Sequence, residues 1–444
     1  MPRAICKAAS PVDAVLRRGP LLICAVALLG ISEAQARVFD RVEVRGAQFI
    51  PEEDIKQTCG AFPGVDYLEL ELRAIEDCLM TTGVFTNVKL YGEQDVLVID
   101  VEELDDRPGR VEGALSYVSD DGLVAEFSIE KYNLFPKTYG ALSLSYNSEI
   151  QAFDGALYRT DLFGPGLDFG VDLIGKDADY DDQSYSEESL RLEPYLAWEA
   201  SDRTRFEAGL GLRSFRMYDV DAGASALVSA EASSRISAPY LRFALSYRNG
   251  AGPEADPDLA DSVGVALQLE QYFWNLGTSD SLSDTRVSVA TQWPIADGVW
   301  ILSGVRGGTV SGLRDNATRS IDRFFPGAES FRGFAPRGIG PRDGADALGG
   351  NHYVVGWLEV QKEFGAVGQL PARGGVFFDA GSVWGLDDTL GGTIDDGWQT
   401  RSSVGVSLTL DIASFPVSLY VAKPLRSVPG DDRQTFGFSL STQF

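Results

Sequence analysis

SSVGVSLTL, residues Ser402–Leu410, alternates without a break. Val404, Val406, Leu408 and Leu410 share one face, and Ser403, Gly405, Ser407 and Thr409 share the other. A period of two with unlike faces marks an extended strand. VGVALQLEQYF (Val263–Phe273) repeats it, with Val263, Val265, Leu267 and Leu269 opposite Gly264, Ala266, Gln268 and Glu270. About sixteen such segments follow Glu103, most of them long enough for the roughly 9–11 residues with which a tilted strand crosses a bilayer. Aromatics gather near their ends, in QYFW and SVW, where the interfacial girdles of a membrane barrel lie. There is no run of 18 apolar residues, so the period of a spanning helix is absent.

A soluble sandwich would need two cores for so many strands and would set every Gly/Ser/Thr/Gln face in bulk water. Connection lengths favour a barrel. Those at one end, KDADYDDQSYSE, Asp219–Ser234, Val310–Gly350 and Gly385–Gly397, are long. Those at the other end, NLFP, ASDR, PIADG and ASF, are short, with GAGPEADPDLA the exception. Residues 105–444 are therefore expected to form a 16-stranded antiparallel transmembrane β-barrel in a mainly β protein. Closure pairs every backbone amide without leaving an edge, as hydrocarbon demands.

Residues 1–36 read as a secretory signal peptide. Arg3, Lys7, Arg17 and Arg18 precede the apolar LLICAVALLGIS (Leu21–Ser32), and Ala34-Gln35-Ala36 is a small-x-small cleavage site. The apolar segment is shorter than the roughly 20 residues of a spanning helix. Cys24 follows Ile23, where lipoprotein processing takes a small side chain, so acylation is not expected. The leader carries four basic and two acidic residues, so its removal takes the net charge from −27 to −29. That balance argues against a nucleic-acid partner and suits solvated acidic loops outside the cytoplasm.

Cys6 and Cys24 belong to the leader, leaving Cys59 and Cys78. In an exported chain this pair has two readings, a disulfide or two small buried side chains in a helix pair. With His352 the only histidine, no Cys/His metal set exists, and no metal or cofactor is expected. His352 stands beside Asn351 at a strand start, a loop-end or lumen position without an acid–base constellation, so enzymatic activity is not expected. DADYDD and DDTLGGTIDD lack calcium-loop spacing and read as solvated surface rather than as cation sites.

Residues 37–104 have a different pattern. VFDRVEVRG is a strand ending on Gly46, PEEDIKQTCG a helix with proline and acids at its start, and YLELELRAIEDCLMTTG a second helix stopped by Gly83. VFTNVKLYGEQDVLVIDVEE is a hairpin. The order βααββ predicts a small α+β module, a sheet covered on one face by two helices. The stretches VRGAQFIPEEDI and TTGVFTNVKL resemble a POTRA domain, the periplasmic polypeptide-transport module of the BamA/TamA outer-membrane assembly family, with one copy in this sequence.

SFRGFAPRGIGPRDG (Ser330–Gly344) lies in the connection Val310–Gly350, far longer than an ordinary loop in a compact fold. Its six basic residues are Arg314, Arg319, Arg323, Arg332, Arg337 and Arg342, with no lysine among them. A guanidinium fork suits bidentate carboxylate pairing, and a merely soluble loop would accept lysine. Candidate acceptors are Glu359 and Asp379 on the next two strands, because a lipid-facing charge near midplane is destabilising. Parity sets Asp379 with Gly375, Phe377 and Gly381, opposite Val376, Phe378, Ala380 and Trp384, so it points inward. Glu359 does likewise with Gln361 and Glu363. The glycines beside Asp379 are expected to leave room for the loop to approach the wall.

FRGF resembles the (V/I)RG(F/Y) motif of the sixth extracellular loop in the BamA/TamA family, FFDAG its F-x-D-x-G strand, and GGNHYVVGWLE its Gly-Gly…Glu strand. The resemblance implies that Arg332, followed by Gly333, lies inside the barrel, paired with Asp379 and Glu359 on a wall that includes Gly381, with Phe334 packing below. Phe331 departs from the usual Val or Ile. The competing reading is an external loop whose arginines grip lipopolysaccharide phosphates. The last strand, TFGFSLSTQF, sets Phe436, Phe438, Leu440 and Phe444 on one face and resembles the C-terminal signal of outer-membrane barrels.

The family implies insertion of barrel proteins into the outer membrane of a Gram-negative bacterium, or translocation of polypeptides across it. It implies a POTRA module in the periplasm and unfolded outer-membrane or secreted clients. Outer-membrane lipid, lipopolysaccharide and accessory periplasmic proteins are the further partners. The POTRA hairpin, with Phe85, Val88 and Leu90, would offer an edge for β-augmentation. The seam between the strand near Arg110–Val118 and Thr435–Phe444 would open to template an incoming strand. A single POTRA implies an accessory or specialised member, because the major assembly factors carry more. The alternative is a passive porin or surface receptor barrel, which needs neither POTRA nor the Arg/Asp/Glu motifs.

Overall fold

In the computed structural model of the chain, the described residues are 37–443 other than 48, 49, 51, 105–108, 119–121, 136, 202, 250–262, 315, 368, 369, 413 and 414. The expected signal peptide, the long connection GAGPEADPDLA and Phe444 lie outside them. The chain divides into two compact units, Met1–Glu103 and Leu104–Phe444.

In the first unit a three-stranded sheet has Val96–Glu103 at its centre. That strand runs parallel to Arg41–Arg45 and antiparallel to Phe85–Glu93. Helices Glu52–Thr58 and Glu69–Thr81 supply Ile55, Ile75 and Leu79 to a core with Phe85, Val88, Leu97 and Ile99. The second helix is capped by the Glu71 carboxylate, which accepts the Leu68 N–H at 2.7 Å, and it ends before Gly83 at φ +71°. Cys59 and Cys78 form a disulfide between the ends of the two helices.

The first strand differs from the expectation. VFDRVEVRG breaks into Arg37–Val38, which pairs with Asp66–Tyr67, and Arg41–Arg45. The break occurs because Phe39 turns into the core and is 1% exposed. The expected hairpin edge is also corrected. The strand after the turn is central, so only Phe85–Glu93 presents backbone at that edge, and Phe85 and Val88 are buried in the core. The edge is thus offered by main chain rather than by those side chains.

In the second unit, sixteen strands among the described residues close into an antiparallel barrel, from Arg110–Val118 round to Phe436–Gln443. The alternation read from sequence fixes which way each wall faces. Val376 (59% exposed) and Phe378 (43%) point out, while Phe377 and Asp379 between and beyond them are buried within. Phe436 likewise faces outward. Strands extend further into KDADYDDQSYSE than expected, with Asp177 opposite Glu188 in the ladder, so the connection itself is 180–185.

The seam is short. Phe436–Gln443 pairs with the first strand from Ser439 opposite Val118 to Gln443 opposite Ala114.

Candidate functional site: an arginine clamp inside the barrel

The long connection leaves the strand Val299–Gly312 and returns at His352–Val367. It is folded, with 3-10 turns at Ser320–Asp322 and Ala328–Ser330 and a small hairpin joining Arg342–Asp343 to Asp346–Ala347. Phe331, Phe334 and Ile339 bury themselves against Val355 and Val383 of the inner wall. Phe331 meets Phe334 edge-on at 4.8 Å between centroids, so the larger ring at this motif position is accommodated by aromatic packing.

That packing holds Arg332 against two acids. Its backbone N–H and Nε donate to Asp379 Oδ2 at 3.2 and 3.0 Å, and Nη2 donates to Oδ1 at 2.8 Å. Nη1 donates to Glu359 Oε2 at 2.6 Å. One guanidinium reaches both because Glu359 stands opposite Phe377 in the ladder and Trp357 opposite Asp379, which makes the two acids diagonal neighbours on the inner face. Side-chain exposure is 15% for Arg332, 9% for Glu359 and 3% for Asp379. Each buried charge therefore has an opposite partner, although one guanidinium against two carboxylates leaves the cluster a net charge of −1.

Three further residues, not singled out in the sequence, complete the clamp. Phe377 lies flat beneath the guanidinium, its ring centroid 3.5 Å from Cζ. The Ser403 hydroxyl donates to the Arg332 carbonyl at 2.5 Å, and the Ser407 hydroxyl donates to Glu359 Oε1 at 2.6 Å. Parity in SSVGVSLTL shows both serines facing inward, but register alone sets Ser403 opposite Asp379. Gly333 has φ +99°, and a Cβ there would stand 3.0 Å from the Ser403 Cβ. The wall glycines do a different job from the one expected. A Cβ at Gly381 would stand 2.4 Å from the Val354 carbonyl oxygen, and one at Gly375 2.7 Å from Glu359 Oε1. They make room for the neighbouring strand and for the acid rather than directly for the loop.

The other loop arginines pair with acids from many parts of the chain. Arg319 donates to Asp280 at 2.7 Å, Arg337 to Asp182 at 2.7 Å and Arg342 to Asp432 at 2.6 Å. Arg323 bonds Glu231, and Arg213 of the wall donates to Asp322 of the loop at 2.8 Å. Arg314 is exposed. Acids read from sequence as solvated also serve the loop: Asp387 accepts from the Thr318 N–H at 2.7 Å and from its hydroxyl at 2.8 Å. His352 sits at the strand start with Nδ1 2.8 Å from the Thr309 hydroxyl and its ring 5.5 Å from Trp384. No group of three His, Cys, Asp or Glu side chains placed to hold a metal occurs among the described residues.

A closed sixteen-strand barrel with a surface loop folded inward and an arginine held by wall carboxylates defines a class of outer-membrane barrel. The chain belongs to the Omp85 superfamily, whose domain model matches residues 138–444. It is 26% identical over 391 residues to the outer membrane protein assembly factor BamA of Neorickettsia risticii (strain Illinois), covering 82% of this chain and 50% of that protein. The chain thus spans about half the length of the curated relative it matches. In fold it is similar to BamA from Haemophilus ducreyi lacking POTRA domains 1–3, with a TM-score of 0.67 at 16% identity over 92% of this chain and 85% of that one. It is also similar to CdiB from Escherichia coli, with a TM-score of 0.54 at 12% identity over 96% of this chain and 94% of that one.

Proposed function

We propose that this protein assists the insertion of barrel proteins into the outer membrane, or the translocation of polypeptides across it, without catalysing a covalent reaction. The observation that carries the reading is the Arg332 clamp, the loop arginine held inside the barrel by Asp379 and Glu359. The relatives support it, one being an assembly factor by name. The seam supplies the working surface. Parting it would bare a row of backbone donors and acceptors for an extended client. In this reading the first unit is a POTRA domain in the periplasm, and the free edge of Phe85–Glu93 receives client segments by strand addition. Clients are unfolded outer-membrane or secreted polypeptides. Outer-membrane lipid, lipopolysaccharide and accessory periplasmic proteins are the other expected partners.

The test is depletion of the protein followed by quantitation of the outer-membrane and secreted proteomes. A defined set of barrel or exported proteins should fall. Unchanged proteomes, with steady ion conductance insensitive to deletion of residues 37–103, would establish a porin instead.

A further inference from the structure

One guanidinium beside the clamp has no carboxylate partner among the described residues. Arg306 lies on the inward face of Val299–Gly312, the strand paired with that of Glu359. Its Cζ is 4.8 Å from the centroid of the Trp357 ring. Among the described residues it makes no hydrogen bond or ion pair, and its Nε is buried without a partner. A buried donor left without an acceptor is destabilising, the more so on a charged group. Arg306, Trp357, Arg332, Glu359 and Asp379 line one cavity of about 210 Å³, room for several waters at about 30 Å³ each and for a side chain to swing through.

The two acids are not held alike. Asp379 accepts three hydrogen bonds from Arg332, including one from its backbone. Glu359 accepts one, from Nη1, while Ser407 keeps its other oxygen in place. Glu359 is thus the acid that can change partners without losing its orientation.

We infer that Arg306 is a relief cation for the clamp, taking over Glu359 when Arg332 withdraws, so that the loop can leave its seat without stranding both acids. This rests on the reading that the clamp is a working part of the protein rather than a fixed brace. Without a substitute, withdrawal would leave two buried carboxylates uncompensated, the costliest arrangement such groups can adopt. With it, Glu359 stays paired and the orphaned face of Arg306 gains an acceptor.

Ser330 lines the same cavity, so Ser330→Cys reports departure of the loop. Its labelling by a membrane-impermeant maleimide would be followed by peptide mass, on the full chain in outer-membrane vesicles. Arg306→Gln should slow labelling about tenfold, equivalent to about 1.4 kcal/mol, and Arg306→Lys should restore most of the rate. In a Glu359→Gln background, Arg306→Gln should no longer change it. Equal rates for wild type and Arg306→Gln overturn the proposal. So does a slowing that persists with Glu359→Gln, because Arg306 would then be only a prop for Trp357. If Arg306→Gln gives no folded barrel while the double variant does, the coupling to Glu359 is upheld; if neither folds, Arg306 belongs to the wall and the proposal falls. Client proteins do not enter these rates, so the inference and the function proposed above can fail independently.

Discussion

At Arg332 a planar fork meets two carboxylates and a ring at once, and lysine offers none of that geometry. Removing one partner from a buried charge pair costs on the order of 3–5 kcal/mol, mostly from the charge left behind. Arg332→Ala is expected to lower the yield of heat-resistant barrel on semi-native gels, or client assembly where the barrel survives. Arg332→Lys should recover only a small part of either, and wild-type behaviour of the alanine variant would remove the pairing argument. Gly333 tests the backbone instead of the charge. Its φ of +99° and the tight approach of Ser403 make Gly333→Ala a loss of about 1–3 kcal/mol, visible as a lower unfolding midpoint in urea. At this scale the acids were legible because parity decides which charges avoid lipid. Phe377, Ser403 and Ser407 were not, because inter-strand register brings them to the arginine.

The inward loop is an element in its own right, fastened by arginines of unequal burial. Arg323 is 3% exposed and bonds Glu231, itself 11% exposed, whereas the Asp432 partner of Arg342 is 64% exposed. Exposed pairs contribute about 0–1 kcal/mol, and breaking a buried one costs several. Arg323→Ala should therefore open Ser320–Asp343 to added protease much faster than Arg342→Ala, and equal cleavage would show that burial does not rank these contacts. The all-arginine composition announced carboxylate pairing. It could not name the partners, since Asp182, Glu231, Asp280 and Asp432 come from four separate connections that meet only when the barrel closes.

The two helices of the first unit pose a similar contrast. Composition left Cys59 and Cys78 with two readings, and folding brings their Cα atoms within 5.9 Å, where a bond forms. Closing a loop of sequence separation 19 is worth about 3 kcal/mol in the chain-entropy account. Cys59→Ala with Cys78→Ala should thus speed amide exchange in the helix Glu69–Thr81 of the full chain, while exchange in the barrel strands stays unchanged.

For the molecule as a whole, the barrel closes where its last strand meets its first. The seam register puts Ser441 opposite Ser116. A disulfide between Ser116→Cys and Ser441→Cys should leave the barrel folded and stop client insertion, with reduction restoring it. Insertion that continues under the cross-link would rule out strand templating at this seam. By itself the sequence determined the class of wall and its orientation, because a period of two with apolar and small polar faces has one low-energy solution in a bilayer. It determined the inward acids and the arginine motif for the same reason, that unpaired charge is excluded from lipid. Only the tertiary structure decided which acid each arginine meets and that Phe85–Glu93 lies at an edge of the sheet in the first unit. Those depend on register and on loops converging from distant parts of the chain, and no local pattern encodes either.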